Sequence, residues 1–134
     1  MHQFDLKNKT AIITGGAQGF GFDIAKRFLN SGAKVIIWDI DKNELLKASK
    51  EINNSKLSFN VVDVSNFKNV QDTVDIITKS SNIDILINNA GITGSTASLW
   101  NYDVDEWKKI IQVNLMGTFN CCKCIVPFMI KNEY

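Results

Sequence analysis

The chain has 134 residues, 45% hydrophobic and 22% charged, with a formal net charge of +1. That is one domain's worth of ordinary globular composition, with no charge excess to suggest nucleic acid or an anionic membrane as partner. No apolar core of signal-peptide length opens the sequence and no segment is expected to approach a membrane span. The three cysteines, Cys121, Cys122 and Cys124, cluster with nothing elsewhere to pair with, so a reducing, cytoplasmic setting is expected.

Residues 9–13 form an apolar, β-branched run expected to be a buried first strand. The run breaks into Gly15-Gly16-Ala17-Gln18-Gly19-Phe20-Gly21, and a helix is predicted over 20–31, ended by Gly32. A strand, a glycine turn and a helix start in that order form a phosphate site. Glycines let a ligand approach the backbone, and the free N–H groups and helix dipole favour an anion. Residues 34–38 read as a second strand closed by Asp39, and 41–53 as a helix with Leu45, Leu46, Ala48 and Ile52 on one face.

A third strand is predicted over 57–62, closed by Asp63. Ser65 is expected to cap a third helix lined by Val70, Val74 and Ile77. Residues 83–87 read as a fourth strand running into Asn88-Asn89-Ala90-Gly91. A loop over 92–105 carries Trp100 and Tyr102, which either border a pocket or pack on the sheet. A single long helix is predicted over 104–131, with Asn114 and Gly117 in its middle and Pro127 bending or ending it. Alternating short apolar strands and helices imply βαβ units. The expected fold is therefore α/β, a Rossmann-type doubly wound parallel sheet occupying residues 1–134.

Asp39 stands 20 residues after Gly19, at the carboxyl end of the second strand. An acid there accepts hydrogen bonds from adenosine ribose hydroxyls and repels a 2′-phosphate, which favours NAD over NADP. The alternative is a solvated turn aspartate or a helix cap. Cys121-Cys122-Lys123-Cys124 contains C-x-x-C but lacks a second ligand pair, so these read as core or interface cysteines and no metal site is expected. His2 is a terminal histidine with no partner in view.

Thr14-Gly15-x-x-x-Gly19-x-Gly21, Asp39, Asp63-Val64, Asn88-Asn89-Ala90-Gly91 and Asn114 together resemble the short-chain dehydrogenases/reductases, in particular the 3-oxoacyl-[acyl-carrier-protein] reductase type. The resemblance covers essentially the whole chain and implies an NAD(P)-dependent oxidoreductase. Such an enzyme moves hydride between nicotinamide and a carbonyl or secondary alcohol. By that resemblance Gly15, Gln18, Gly19, Phe20 and Gly21 hold the pyrophosphate. Asp39 and Ile40 flank the ribose, Asp63 and Val64 the adenine, and Asn89, Ala90 and Gly91 the cofactor beyond. Asn88 is implied to tie the fourth strand to its neighbours. Asn114 matches the asparagine of the family's Asn-Ser-Tyr-Lys tetrad, where it helps to hold a water; its plain alternative is a locally satisfied polar residue. The resemblance also suggests a homo-oligomer through the helix over 104–131.

The departure is as informative as the match. Tyr102 is followed four residues later by Glu106, and Tyr134 is the last residue, so no Tyr-x-x-x-Lys occurs in these 134 residues. A tyrosine needs a close cation to act as acid or base near neutral pH. The cofactor half is thus expected to be present, and the Ser and Tyr-x-x-x-Lys to be absent. Without a further strand beside it, the strand over 83–87 becomes a hydrophobic edge, and instability or self-association is expected. The alternatives to an oxidoreductase are a truncated nucleotide-binding or interaction module without catalysis, or another nucleotide-binding α/β protein such as a methyltransferase.

Overall fold

A computed structural model describes residues 4–133, so His2 and Tyr134 lie outside the described residues. Four parallel strands, β1 (Thr10–Thr14), β2 (Lys34–Asp39), β3 (Leu57–Val61) and β4 (Ile85–Ile87), lie in the order β3-β2-β1-β4. Three helices connect them: α1 (Gly19–Asn30), α2 (Lys42–Ile52) and α3 (Phe67–Thr78). A short 3₁₀ turn, Leu99–Asn101, precedes α4 (Val104–Ile111). A π-helical turn, Gln112–Met116, then leads without a break into α5 (Gly117–Lys131).

The expected α/β sheet is present, and its register sets the site. Thr14 lies opposite Trp38, Asp39 opposite Val61, and Ile13 opposite Ile87. The carboxyl ends of all four strands are therefore level, and the chain reverses direction of travel across the sheet between β1 and β4. Crevices of this kind at the carboxyl edge are where open α/β sheets take ligands.

Both faces of the sheet are covered, which is why β1 and β2 are apolar without alternation. Ile13, Val35 and Ile37 point to one face and pack with Ala25 and Leu29 of α1 and Leu45 and Ala48 of α2. Ile12, Ile36 and Trp38 point to the other and pack with Val70, Val74 and Ile77 of α3 and Cys121, Cys124 and Ile125 of α5. Each face thus takes alternate residues of the same strands.

Several sequence expectations need correction. Leu46 is 41% exposed and lies off the buried face of α2. Asn66, not Ser65, caps α3, accepting from the Asn69 N–H at 3.0 Å, while Ser65 turns back to Asp63. β4 is three residues long rather than five, although Ile83 before it is fully buried. Pro127 does not end α5, which runs four residues past it. Trp100 is 85% exposed, and Tyr102 packs edge-on against Trp107 of α4 at 5.6 Å rather than on the sheet.

The expectation that no segment approaches a membrane span is also overturned. Within the continuous helix Val104–Lys131, an 18-residue window has a mean hydropathy of 1.4, long and apolar enough by length and composition to cross a membrane. The cause is a stretch, residues 110–130, whose only charge is Lys123. One side of that helix packs on α3 through Cys121, Cys124 and Ile125. Trp107, Leu115, Phe119 and Ile130 remain exposed.

Candidate functional site

The glycine turn after β1 owes its shape to contacts that only glycine permits. Gly15 has φ +61°, and a Cβ there would stand 2.9 Å from the Ala90 Cα. A Cβ on Gly21 would stand 2.2 Å from the Gly15 carbonyl oxygen and 2.6 Å from the Asn89 Nδ2. Gly19, at φ +54°, is different: nothing lies within 4 Å of where its Cβ would be. That open side is a cradle, left clear in front of the first turn of α1.

The N-terminus of α1 is also left chemically open. Asp41, Asn66 and Asp103 cap α2, α3 and α4 through side-chain oxygens. Gln18, the cap residue of α1, makes no such bond, and the first turn of α1 carries no acid. Its leading N–H groups and the positive end of its dipole therefore face the cleft unmatched, which suits an anion.

A polar knot behind the turn joins β1 to β4. The buried Thr14 hydroxyl accepts from the N–H groups of Asn89 and Ala90, both at 3.0 Å, and donates to the Ile87 carbonyl at 3.4 Å. All three capacities of a hydroxyl are thus used. Asn89 Nδ2 donates to the carbonyls of Thr14 and Gly15, each at 3.1 Å. The tying role expected of Asn88 accordingly belongs to Asn89. Asn88 is exposed and reaches only the Cys122 sulfur, at 3.4 Å, because its side chain leaves the strand end on the opposite side from Asn89.

Asp39 ends β2 with its carboxylate held at both oxygens. The Ala17 N–H donates to Oδ2 at 3.3 Å and the Asp41 N–H to Oδ1 at 3.2 Å. Ile40 beside it is 67% exposed on the rim, as is Phe20 at 83%. Across the cleft, Asp63 accepts from both the N–H and the hydroxyl of Ser65, and its own N–H donates to Asn69. Val64 is fixed from behind: the buried Asn120 Nδ2 donates to its carbonyl at 2.9 Å, and Gly117 leaves room for its side chain. Gly117 and Asn120 thereby position the site, a part that the sequence pattern did not reveal.

One cavity of about 480 Å³ joins these parts, within the range of small-molecule and cofactor sites. It is lined by Gly15, Gln18, Gly19, Phe20, Asp39, Ile40, Asp63, Val64, Asn89, Ala90 and Gly91, all expected from the sequence. Gly21 lies behind the turn rather than on the cavity wall. Trp38, Val62, Ile92, Lys109 and Val113 line the cavity too and went unrecognised in the sequence. Trp38 reads there as an ordinary strand residue, yet its fully buried indole N–H has no partner.

Asn114 sits beyond the cavity, in the π-helical turn, and is exposed. Its amide is occupied on both sides by Ile92: the Ile92 N–H donates to Oδ1 at 2.8 Å, and Nδ2 donates to the Ile92 carbonyl at 2.9 Å. Among the described residues no cluster of three metal-ligating side chains occurs. The cysteines include no disulfide: Cys121 and Cys124 are buried, and Cys122 is half-buried. Burial pushes the Cys121 thiol up to about 12.

A glycine turn, an open helix N-terminus and an acid closing the second strand, all on the carboxyl edge of a parallel sheet, define an α/β protein of the dinucleotide-binding kind. The family model for short chain dehydrogenase matches residues 9–134. The chain is 37% identical over 127 residues to the 2-dehydro-3-deoxy-L-rhamnonate dehydrogenase (NAD(+)) of Sphingomonas sp., covering 94% of this chain and 50% of that protein. It is 39% identical over 130 residues to the 3-oxoacyl-[acyl-carrier-protein] reductase of Chlamydia muridarum, covering 94% of this chain and 52% of the relative.

Among solved structures, the 3-ketoacyl-(acyl-carrier-protein) reductase from Brucella melitensis complexed with NADH superposes with a TM-score of 0.90 at 33% identity. The match covers 96% of this chain and 53% of that one. A Pseudomonas aeruginosa RhlG/NADP complex superposes with a TM-score of 0.87 at 29% identity, covering 98% and 50%. The chain belongs to the short-chain dehydrogenase/reductase family, and it spans about half the length of the curated relatives it matches.

Proposed function

We propose that this chain is the dinucleotide-holding portion of an oxidoreductase that transfers hydride between a nicotinamide cofactor and a small carbonyl or secondary alcohol, in the manner of the 3-oxoacyl thioester reductases. The observation that carries this is the uncapped N-terminus of α1, fronted by the clear space at Gly19 and flanked by the doubly held Asp39. An anion is needed to match the first, and a diol suits the second. When bound, the cofactor supplies the nicotinamide that gives or takes the hydride.

The residues divide that task. Gly15, Gln18, Gly19, Phe20 and Gly21 shape and hold the pyrophosphate end. Asp39 and Ile40 flank the adenosine ribose, Asp63 and Val64 the adenine, and Asn89, Ala90 and Gly91 the part beyond. Asn114 is assigned to the family's asparagine position. Because Ile92 occupies its amide, its part in holding a water falls to the backbone and spare lone pairs of that turn.

NAD is the proposed cofactor. One structural neighbour is complexed with NADH and another with NADP, so the fold accommodates either. On this reading a 2′-phosphate bound beside the Asp39 carboxylate would meet like charge. Titration of NADH and NADPH against the protein tests this, and tighter binding of NADPH would refute the role given to Asp39. A cytoplasmic setting and a homo-oligomer joined through residues 104–131 belong to the same proposal.

The second reading is a nucleotide-binding module without catalysis. Reading the coding DNA beyond Tyr134 decides between them: a downstream Tyr-x-x-x-Lys supports the enzyme, and a stop codon supports the module.

A further inference from the structure

The charged residues that line the cavity come from different elements: Asp39 ends β2, Asp63 follows β3, and Lys109 belongs to α4. Both carboxylates are already matched by nearby donors, Asp39 by the Ala17 and Asp41 N–H groups and Asp63 by Ser65. Lys109 has no such match. On a helix the natural partners of a lysine stand three or four residues away, which here offers Glu106 and Asp105 as acids. Glu106 is spent elsewhere: its Oε1 accepts from both the N–H and the hydroxyl of Ser95, each at 2.8 Å. Asp105 is exposed, and none of the described ion pairs joins it to Lys109. Val113, four residues on, lines the cavity as well, so Lys109 lies on the side of the helix that faces it.

We propose that Lys109 is a binding residue for the phosphate groups of the dinucleotide, supplying from α4 the cation that the glycine turn lacks. This rests on the reading of the cavity as a dinucleotide site. Among the described residues Lys109 is the only lysine or arginine on the cavity wall. A pyrophosphate is a dianion, and without Lys109 the wall would offer it two carboxylates and backbone N–H groups alone. Lys109 offsets one of those carboxylates, and a concave site concentrates the field of such a charge. Its ammonium acts as a mobile point charge on a flexible stem, which suits a phosphate and needs no fixed geometry. The charge acts on the phosphates that every adenine dinucleotide shares, so it governs affinity and leaves the choice between NAD and NADP to other residues.

The test is titration of the 134-residue chain with ADP-ribose, followed by calorimetry, and with adenosine, followed by NMR shifts. The variants are Lys109→Gln, Lys109→Arg and, as a control of equal charge off the cavity wall, Lys108→Gln. Lys109→Gln is expected to weaken ADP-ribose about three- to tenfold at about 0.01 M salt and less than about twofold at about 1 M, where the screening length is short. Adenosine, which has no phosphate, should change by less than about twofold, as should ADP-ribose with Lys109→Arg and with Lys108→Gln. Equal weakening of ADP-ribose and adenosine in Lys109→Gln would assign the effect to packing of the stem and overturn the proposal. So would a loss in Lys108→Gln as large as in Lys109→Gln, or a loss in Lys109→Arg as large as in Lys109→Gln. A wild-type affinity for ADP-ribose that does not fall with salt overturns it without any variant. In each of these cases ADP-ribose still binds and the parent reading stands. A wild-type chain that binds neither ligand overturns both.

Discussion

Asn114 and Ile92 are joined amide to amide: Ile92 donates its N–H to Oδ1 at 2.8 Å and accepts from Nδ2 at 2.9 Å. The pair ties the loop after β4 to the π-helical turn Gln112–Met116, so it determines how the long helix leaves the cleft. Asn114→Ala removes both bonds and is expected to lower stability by about 1–2 kcal/mol. Asn114→Asp at pH 7 keeps one bond but sets a carboxylate oxygen against the Ile92 carbonyl. Its urea midpoint should fall at least as far, and then recover in part below about pH 4 as the carboxyl regains a proton to donate.

The glycines separate into two kinds, and substitution should show it. Gly21→Ala places a methyl 2.2 Å from the Gly15 carbonyl, so the turn must open, at a cost of about 2–3 kcal/mol. Gly19→Ala meets no protein atom within 4 Å and costs about 1 kcal/mol through its left-handed φ alone. Its methyl instead enters the cradle. Thermal melts and nucleotide titration in parallel should therefore find Gly21→Ala impaired in both, and Gly19→Ala nearly stable but deficient in binding.

Thr14 offers a sharper contrast, because a single hydroxyl serves three backbone groups of β4 and its exit. Thr14→Val preserves shape but strands the Ala90 N–H, while the Asn89 N–H keeps only the Ile87 carbonyl at 3.1 Å, and should cost about 1–3 kcal/mol. Thr14→Ser keeps the hydroxyl and should cost no more than about 1 kcal/mol. Denaturant midpoints of the two variants check the difference. Equal losses would mean that packing of the methyl, and not the hydroxyl, holds β1 to β4.

These relationships mark where the sequence was legible and where it was not. The alternation of strands and helices, Gly15 to Gly21, Asp39 and Asp63-Val64 all lie in local patterns whose spacing carries the chemistry. Strand and helix ends were read to within about two residues because caps such as Asp41 and Asn66 compete with neighbours of the same type. The tie expected of Asn88 falls to Asn89, since which of the two faces β1 depends on how the chain leaves β4 and not on any local pattern. The pairing of Asn114 with Ile92 was hidden because the two residues lie 22 apart in sequence. Gly117 and Asn120 support Val64 from a distant helix, and no local pattern announces such a contact.

Exposed apolar side chains on the long helix, including Trp107, Leu115, Phe119 and Ile130, together with the three-residue edge strand β4, present surface that water solvates poorly. The 134-residue chain is expected to self-associate at micromolar concentration. Sedimentation velocity over a tenfold concentration range should show the weight-average mass rising. Phe119→Glu, placed at a half-exposed position away from the cavity, should reduce that rise without changing nucleotide affinity.

The buried thiol of Cys121 gives the last prediction, in which direction matters. Burial raises its pKa to about 12, whereas in an unfolded chain it ionises near the ordinary thiol value of about 9. Between these values the unfolded state loses a proton that the folded state keeps, so stability must fall as pH rises. The contribution is fully present below about pH 9 and is lost progressively toward pH 12, at no more than about 1.4 kcal/mol per pH unit. Cys121→Ala removes the titrating group, so its stability should be lower than wild type at pH 7 but flatter between pH 9 and 11. Cys122, half-buried and bonded only to Asn88, should react with a thiol reagent at pH 8 long before Cys121 does. If Cys121 reacts as fast as Cys122 in the folded chain, then its side of the core is open to solvent, and the packing of α5 against α3 is not maintained in solution.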